Sequence, residues 1–470
     1  MDTRLINKIE AIVGKEHVHS SRASLLAYSY DATPNFQAIP DIVVAPSNTN
    51  EVQQLVLLCA EEGVPIVPRG SGTNLAAGTT PTSGGMVILF HRMNKILELD
   101  EENLTLSVQP GVITQSIHQF VEQKGLFYPP DPGSMKISTI GGNVSENSGG
   151  LRGLKYGVTK DYVMGLEVVL PNGEILKTGG KLAKDVAGYD LTSLLVGSEG
   201  TLGIITEILL KVIPLPESKQ TMLAVFPSLE QAGSAVSAII AAKITPVTLE
   251  FMDNGTIRAI EEYAKIGLPT EAEAILLLEQ DGNLDQVIVD TKKMSEICEE
   301  HGATSIQLAE NEAEAEKLLL ARRVALSSLA RIRPTTILED ATVPRSEIAK
   351  MVREIQRISK KYNLTICTFG HAGDGNLHPT CLTDLRDLEE MKRVEEAFDE
   401  IFEVAIRLGG TITGEHGVGE MKAPYLEWKI GASGIQTMRN IKLAFDPQNI
   451  MNPGKMFAKE TRKRMVMSNG

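Results

Sequence analysis

The sequence predicts a two-domain α+β protein, and three observations carry that reading. From about residue 40 to 215, short β-branched runs alternate with dense glycine clusters. After Pro214 and Pro216, long helical stretches alternate with isolated strands to about 425, and a Pro- and Gly-containing segment closes the chain. The 470 residues allow roughly two to four domains. With 42% hydrophobic and 23% charged residues, global disorder is excluded. The 46 Lys and Arg stand against 60 Asp and Glu, and the net charge of -14 opposes attraction to a phosphate backbone, so no nucleic-acid partner is expected. The four cysteines, Cys59, Cys298, Cys367 and Cys381, have no C-x-x-C spacing, which excludes a zinc ribbon or an iron–sulfur ligand set and fits a reducing compartment. Residues 1–14 lack the apolar core of a signal peptide, and no run reaches the roughly 18 apolar residues of a membrane span. A cytoplasmic protein without a transmembrane segment is expected.

In chain order, residues 1–30 read as helical, with Leu5, Ile9, Ile12 and Val13 on one face and Leu25 and Leu26 continuing the pattern; this is a packing arm. Strands are expected at 42–44, 66–67, 86–89, 104–108, 166–170 and 202–212, with a helix over 50–62 begun by Asn48 and ended by Gly63. The second domain should hold helices at about 228–242, 284–301, 311–330, 345–362 and 386–408, and strands at 275–279, 337–338 and 366–369. Residues 433–456 read as loop rather than core helix.

Three glycine-rich segments of the first domain carry the first functional signal. Arg69, Gly70, Ser71, Gly72, Thr73 and Asn74 follow the 66–67 strand. Two glycines one residue apart let successive amides turn toward an anion, and the small side chains add donors. The segment is neither G-x-G-x-x-G nor a P-loop, and taken alone an ordinary surface loop accounts for it. A second run, from Pro132, Gly133 and Ser134 through 138–150, is costly to order as loop unless a ligand orders it. A third, 197–205, leads from Gly197, Gly200 and Gly203 into a strand. Together they imply a large polyphosphate-bearing cofactor.

The second domain sets His371 and His378 around the turn-forming Gly373-Asp374-Gly375-Asn376, and Glu415 and His416 between Gly414 and Gly417. In a β-turn-β unit the six intervening residues let the two imidazoles face one another. Either histidine alone reads as a satisfied turn residue. Two imidazoles with one carboxylate make a divalent-metal site with positions open to substrate.

The loop 68–74, the block 138–147 and the run Gly197-Ser198-Glu199-Gly200-Thr201-Leu202-Gly203 resemble the FAD-binding domain of flavoproteins of the vanillyl-alcohol oxidase type, over about 37–456. The chain is most similar to the branch that holds the FAD subunit of bacterial glycolate oxidase and the D-lactate dehydrogenases. The resemblance implies an N-terminal helical arm at 1–36 and a two-subdomain FAD-binding domain at 37–216. An α+β substrate (cap) domain with the metal site would occupy 217–425, and 426–470 would return to the flavin domain. It implies that Arg69 to Asn74 hold the FAD pyrophosphate, that Pro132, Gly133, Ser134, Thr139, Gly142, Asn143, Ser145 and Ile205 line the rest of the flavin and adenosine site, and that Asn452 lies near the ring. Relatives with covalent flavin use a histidine in the first loop; residues 70–75 hold none, so noncovalent FAD is expected.

The histidine segments resemble the metal motif of D-2-hydroxy-acid dehydrogenases. The resemblance implies His371, His378 and Glu415 as ligands of a divalent ion, zinc first, with manganese or iron also suiting the set, and His416 as base. Arg322 matches the family's substrate arginine, although a solvated helix face beside Glu314 and Glu316 also accounts for it. Arg323, Arg331, Arg333, Arg345 and Lys422 are weaker candidates. Leu338 stands two residues before Asp340, where hydroxyglutarate enzymes place a lysine, which favours a short monocarboxylate such as glycolate or D-lactate. The implied reaction passes a hydride from the substrate Cα to flavin N5 while His416 takes the hydroxyl proton from the metal-chelated acid. Implied partners are an iron–sulfur subunit and a second flavin-like subunit that receive electrons, through which the chain would sit at the inner membrane; a homodimer is compatible with the family. Two other readings stand at this point: a metal-dependent hydrolase without flavin, built on the same histidines and glutamate, and a noncatalytic flavoprotein subunit.

Overall fold

The computed structural model describes residues 1–34, 36–459 and 461–462. They form two compact units, the first from 1–149, 158–215 and 415–462, the second from 150–157 and 216–414. None of the described helices is long and apolar enough to cross a membrane.

The strands of the first unit are β1 (Val18–His19), β2 (Ile42–Val44), β3 (Ile66–Arg69), β4 (Met86–Leu89), β5 (Ile96–Asp100), β6 (Thr105–Val108), β7 (Leu126–Phe127), β8 (Val163–Val169), β9 (Ile175–Gly179), β10 (Ile204–Lys211) and β11 (Ile213–Pro214). One sheet has the order β1-β2-β4-β3, with β2, β4 and β3 parallel and β1 antiparallel at the edge. Parallel strands are covered on both faces, which is why β2 and β4 are unbroken apolar runs. The helices Thr3–Val13 and Thr49–Glu62 lay Leu5, Ile9, Val52, Leu55 and Val56 over one face, against Ile42, Ile66 and Met86. Asn48 caps the second helix through the Glu51 amide at 3.0 Å. A second sheet, β5-β6-β10-β8-β9, is antiparallel throughout. A short β11–β7 pair completes the unit's strands.

The second unit is built on β12 (Ser218–Phe226), β13 (Thr248–Asp253), β14 (Ala274–Gly282), β15 (Ser305–Leu308), β16 (Thr335–Leu338), β17 (Ala341–Thr342), β18 (Thr365–His371) and β19 (Asn376–Thr383). They form one antiparallel sheet in the order β15-β12-β14-β13-β18-β19-β16, with β17 also pairing β19. Its longer helices are Leu229–Ala241, Leu284–Glu300, Glu312–Arg323, Ile348–Tyr362 and Leu388–Arg407.

Three local expectations are corrected. Residues 1–30 are not one helical arm: the first helix stops at Gly14, β1 joins the sheet edge, and the helix Arg22–Ala27 follows. The 138–150 run is not all loop. Thr139 accepts from the Gly142 amide at 3.3 Å and caps a helix, Ile140–Glu146, whose Gly141 serves close packing. A Cβ there would stand 2.5 Å from Pro110 Cβ. The first half of 433–456 belongs to the helix Leu426–Phe445, broken at Gly431. The prolines of that segment, Pro447 and Pro453, lie after the helix ends, and a single average over the segment hides this.

The unit boundaries also differ from the expected ones. Residues 150–157 join the second unit, where Tyr156 donates to Asp281 at 2.9 Å and Lys155 pairs with the same carboxylate. Residues 415–425 join the first, where the Val418 and Gly419 amides both donate to Glu199 at 2.7 Å.

Candidate functional site

In the first unit, the end of β3, the start of the helix Ile140–Glu146 and the approach to β10 converge on a cleft. Of the residues expected at the cofactor, Arg69, Gly70, Thr139, Gly142, Ser145 and Ile205 line it. The others do not line it. Ser71 donates to the Ile137 carbonyl, and Gly72 lies under the Arg69 guanidinium. Thr73 is half-buried in the same loop, and Asn74 accepts from the amides of Ala76 and Gly78 at 2.8 and 2.6 Å. Asn143 ties its helix to Thr114 at 2.7 Å. Pro132, Gly133 and Ser134 make a turn in which the Pro132 and Ser134 carbonyls accept from Met135, Ile137 and Ser138. Asn452, 1% exposed, donates to the carbonyls of Gly78 and Glu199, two residues of the cleft wall, at 2.9 and 2.7 Å.

The wall carries charge and unsatisfied polarity. Burial lowers the Arg69 pKa, Asp31 opposes the shift, and the guanidinium remains a cation. Glu199 is buried with both carboxylate oxygens bonded to amides. Burial, then the charges of Glu199 and Asp31, hold the Glu146 carboxyl well above the ordinary range. Burial raises Glu199 as well, but its two amides and the nearby Lys455 and Lys422 favour its charged form, so the proton of this acidic pair sits on Glu146. Glu146 Oε2 and Asn452 Oδ1 are enclosed without hydrogen-bond partners among the described residues. Glycine backbone, the hydroxyls of Thr79, Thr139 and Ser145 and a buried guanidinium suit a polar, anionic cofactor.

In the second unit, β18 and β19 form the expected hairpin. Its register pairs His371 with Asn376 and His378 with Phe369, so the imidazoles are diagonal rather than opposed neighbours on one face. Their centroids lie 5.2 Å apart with rings perpendicular. Glu250 on β13 stands directly opposite His371 and bonds its Nδ1 at 2.6 Å. Arg322, in the last turn of the helix Glu312–Arg323, pairs its Nε with the other Glu250 oxygen. Its Nη2 reaches to 3.4 Å from His371 Nε2, and its guanidinium lies 4.7 Å over the Phe369 ring. It is therefore not a solvated helix face. Burial pushes the Glu250 carboxyl up, but His371 and Arg322 outweigh it and hold the group below its usual range. A Glu250 carboxylate takes the Nδ1 proton of a neutral imidazole and leaves Nε2 as a lone-pair donor.

His378 is buried, its ring 5.4 Å from Phe369 and its Nδ1 4.0 Å from Asp340. Asp340 accepts from Thr413 Oγ1 at 2.6 Å and from the Gly414 amide at 2.8 Å. Glu415 and His416 follow Gly414 in the chain and belong to the first unit, where His416 Nε2 lies 3.8 Å from Glu415 Oε1. Arg333 is committed to Glu390 by two bonds, at 2.7 and 3.0 Å. Two buried imidazoles, one with a carboxylate behind it, are a donor set that suits a divalent metal. Glu250 escapes the sequence reading, although a lone carboxylate between Leu249 and Phe251 in an apolar run is a usable signal.

Residues 40–179 match the family model of the FAD binding domain, and residues 215–456 match that of the C-terminal domain of FAD linked oxidases. Over 455 residues, 97% of each chain, the sequence is 65% identical to the glycolate oxidase subunit GlcD of Bacillus subtilis. The chain belongs to the FAD-linked oxidase family. This FAD-linked oxidase is also 39% identical to GlcD of Escherichia coli over 95% of its own length and 89% of that protein. Its identity to a D-lactate dehydrogenase of Anaerostipes hadrus is 38% over 89% and 90% of the two chains. It shares the fold of p-cresol methylhydroxylase, with a TM-score of 0.81 at 19% identity over 96% of each chain. The fold is of the vanillyl-alcohol oxidase type, and membership in a flavin-linked family sets aside the flavin-free hydrolase.

Proposed function

We propose that this FAD-linked oxidase oxidises glycolate or a short D-2-hydroxy acid such as D-lactate to the 2-oxo acid. The observation that carries the reading is the cluster on the sheet of the second unit, where Glu250 bonds both His371 and Arg322 and His378 lies beside His371. Two imidazoles and a guanidinium suit an α-hydroxy carboxylate: the guanidinium is a fork for the carboxylate, and the imidazoles hold an ion that binds the hydroxyl. The identity to glycolate oxidase subunits, and to a D-lactate dehydrogenase, supports the same substrate class.

In this reading Arg69 to Asn74, Thr139, Gly142, Ser145, Ile205 and their neighbours hold FAD noncovalently, and His371, His378 and Glu415 hold a divalent ion, zinc first. FAD supplies a two-electron acceptor for the hydride leaving Cα, and the ion supplies Lewis acidity that lowers the hydroxyl pKa. Arg322 keeps its Nε on Glu250 and offers its Nη groups to the substrate carboxylate. His416 accepts the hydroxyl proton, so that loss of one proton and one hydride leaves the carbonyl. Leu338 sets no cation toward a distal carboxylate, in keeping with a short acid. Electrons then pass to partner subunits, one iron–sulfur and one flavin-like, which would tether a cytoplasmic chain at the inner membrane.

Anaerobic mixing of the FAD-loaded protein with glycolate, D-lactate, L-lactate and D-2-hydroxyglutarate tests this. Glycolate or D-lactate should bleach the oxidised flavin band, and a chelator should abolish the bleaching without releasing flavin. H416A should bind flavin and fail to bleach. Bound flavin that none of the four acids reduces would sink the proposal and leave the noncatalytic subunit in its place.

A further inference from the structure

Glu250 has no solvent exposure at the centre of an antiparallel sheet. A carboxylate persists there only where hydrogen bonds and opposite charge offset its desolvation. Its two oxygens are divided between two partners: Oε1 accepts from His371 Nδ1 at 2.6 Å, and Oε2 accepts from Arg322 Nε. Those partners are the ligand and the carboxylate clamp of the reaction proposed above, and the role of Glu250 rests on that reading. We propose that Glu250 is a positioning residue that couples the two halves of hydroxy-acid recognition. It presents His371 Nε2 to the divalent ion and turns the Nη groups of Arg322 toward the substrate carboxylate.

Two physical constraints converge on this. A neutral imidazole carries one N–H, and a carboxylate at Nδ1 fixes it there, leaving Nε2 with the lone pair a metal needs. The second constraint is charge. Arg322 Nη2 lies 3.4 Å from His371 Nε2, so an ion on that nitrogen would stand beside a guanidinium. The charge of Glu250, shared by both partners, offsets that repulsion. The register Glu250↔His371 aligns the carboxylate, and the Phe369 ring under the guanidinium holds the third side. Glutamine at 250 would keep the shape. It would remove the charge and set an amide donor against one of two donors.

The test uses the full-length, FAD-loaded protein with Zn²⁺ and Mn²⁺ added in competition with a chromogenic chelator. E250Q should bind the ion about 10–100-fold more weakly than wild type while keeping its FAD. R322M, which removes the neighbouring cation, should bind the ion at least as tightly as wild type, and both variants should raise the KM for glycolate and D-lactate. Wild type that takes up neither ion would overturn the metal reading itself. Wild type that binds the ion, beside an E250Q that binds it as tightly, would overturn the role of Glu250 alone. If E250Q does not fold, the wild type still decides. Histidine ¹⁵N spectra of the metal-loaded protein, with H371Q to identify the resonance, should show a protonated Nδ1 and a metal-shifted Nε2, and the opposite tautomer overturns the proposal.

Discussion

A buried ion pair helps hold the C-terminal segment in the first unit, and Asp446→Ala measures it. The Asp446 carboxylate is fully enclosed and accepts from Lys442 Nζ at 2.5 Å, the Met451 amide at 2.8 Å and the Ile450 amide at 3.1 Å. Lys442 also donates to the carbonyls of Thr201 and Met451, both at 2.8 Å, and its side chain is only 11% exposed. Removing one partner of such a pair costs about 3–5 kcal/mol, because the other charge stays buried. Two released amides, each worth about 1–3 kcal/mol if buried unsatisfied, place the loss at the upper end. Burial already lowers the Lys442 pKa and Asp446 opposes that shift. Without Asp446 the folded-state pKa falls further below the unfolded value. A group so depressed destabilises the fold while it must stay protonated, and the cost fades as pH rises through the folded value. Urea unfolding followed by Trp428, the only tryptophan and part of this unit, should show a loss that shrinks as pH rises toward the ordinary lysine value of about 10.4. K442M/D446L should recover the part owed to the uncompensated lysine charge, but not the part owed to the released amides. A loss under about 1 kcal/mol, or a double variant weaker than the single, would refute the reasoning.

Glu146→Gln tests the acidic pair of the cleft. The Glu146 folded-state pKa is raised, so the native state holds a proton the unfolded state gives up above about 4.5, and wild type should lose stability relative to E146Q as pH climbs through that window, by at most about 1.4 kcal/mol per pH unit. Denaturation midpoints that stay parallel across the range would contradict it. Gly375→Ala tests the hairpin that carries both imidazoles. Gly375 has φ 88°, and a Cβ would stand 2.1 Å from the Val343 carbonyl. A stability loss of about 1–3 kcal/mol for the backbone alone, with weakened metal uptake, is expected by thermal unfolding and metal analysis.

Much of the fold is legible because its signals are local. The β2 and β4 runs and the helix Thr49–Glu62 lie within a residue of the spans their apolar patterns and caps predict. The failures share a cause. Glycine reads locally as flexibility, but in the helix Ile140–Glu146 the glycine at 141 lets a helix approach Pro110, a tertiary demand invisible in sequence. The strand β12, whose first four residues are Ser218, Lys219, Gln220 and Thr221, escapes the apolar pattern because its polar start masks a nine-residue pairing with β14. The helix at 426–445 disappears when prolines beyond its end are averaged in with it.

At the site, residue types are legible and pairings are not. Two histidines around a turn announce a hairpin, because turn chemistry is written in Gly-Asp-Gly-Asn. Their diagonal offset follows from the register, which sets His371 opposite Asn376 and His378 opposite Phe369. Arg322 is ambiguous in sequence for the same reason: helical spacing sets it beside Glu314 and Glu316, whereas packing against the sheet hands it to Glu250, 72 residues away in sequence. A long-range carboxylate that satisfies a histidine and an arginine together has no local signature except its own misplacement in an apolar strand. For a chain of this family, a lone Glu or Asp inside an apolar run is thus the residue to examine after the histidines, because only a partner of opposite charge or a bound proton makes such a position tolerable.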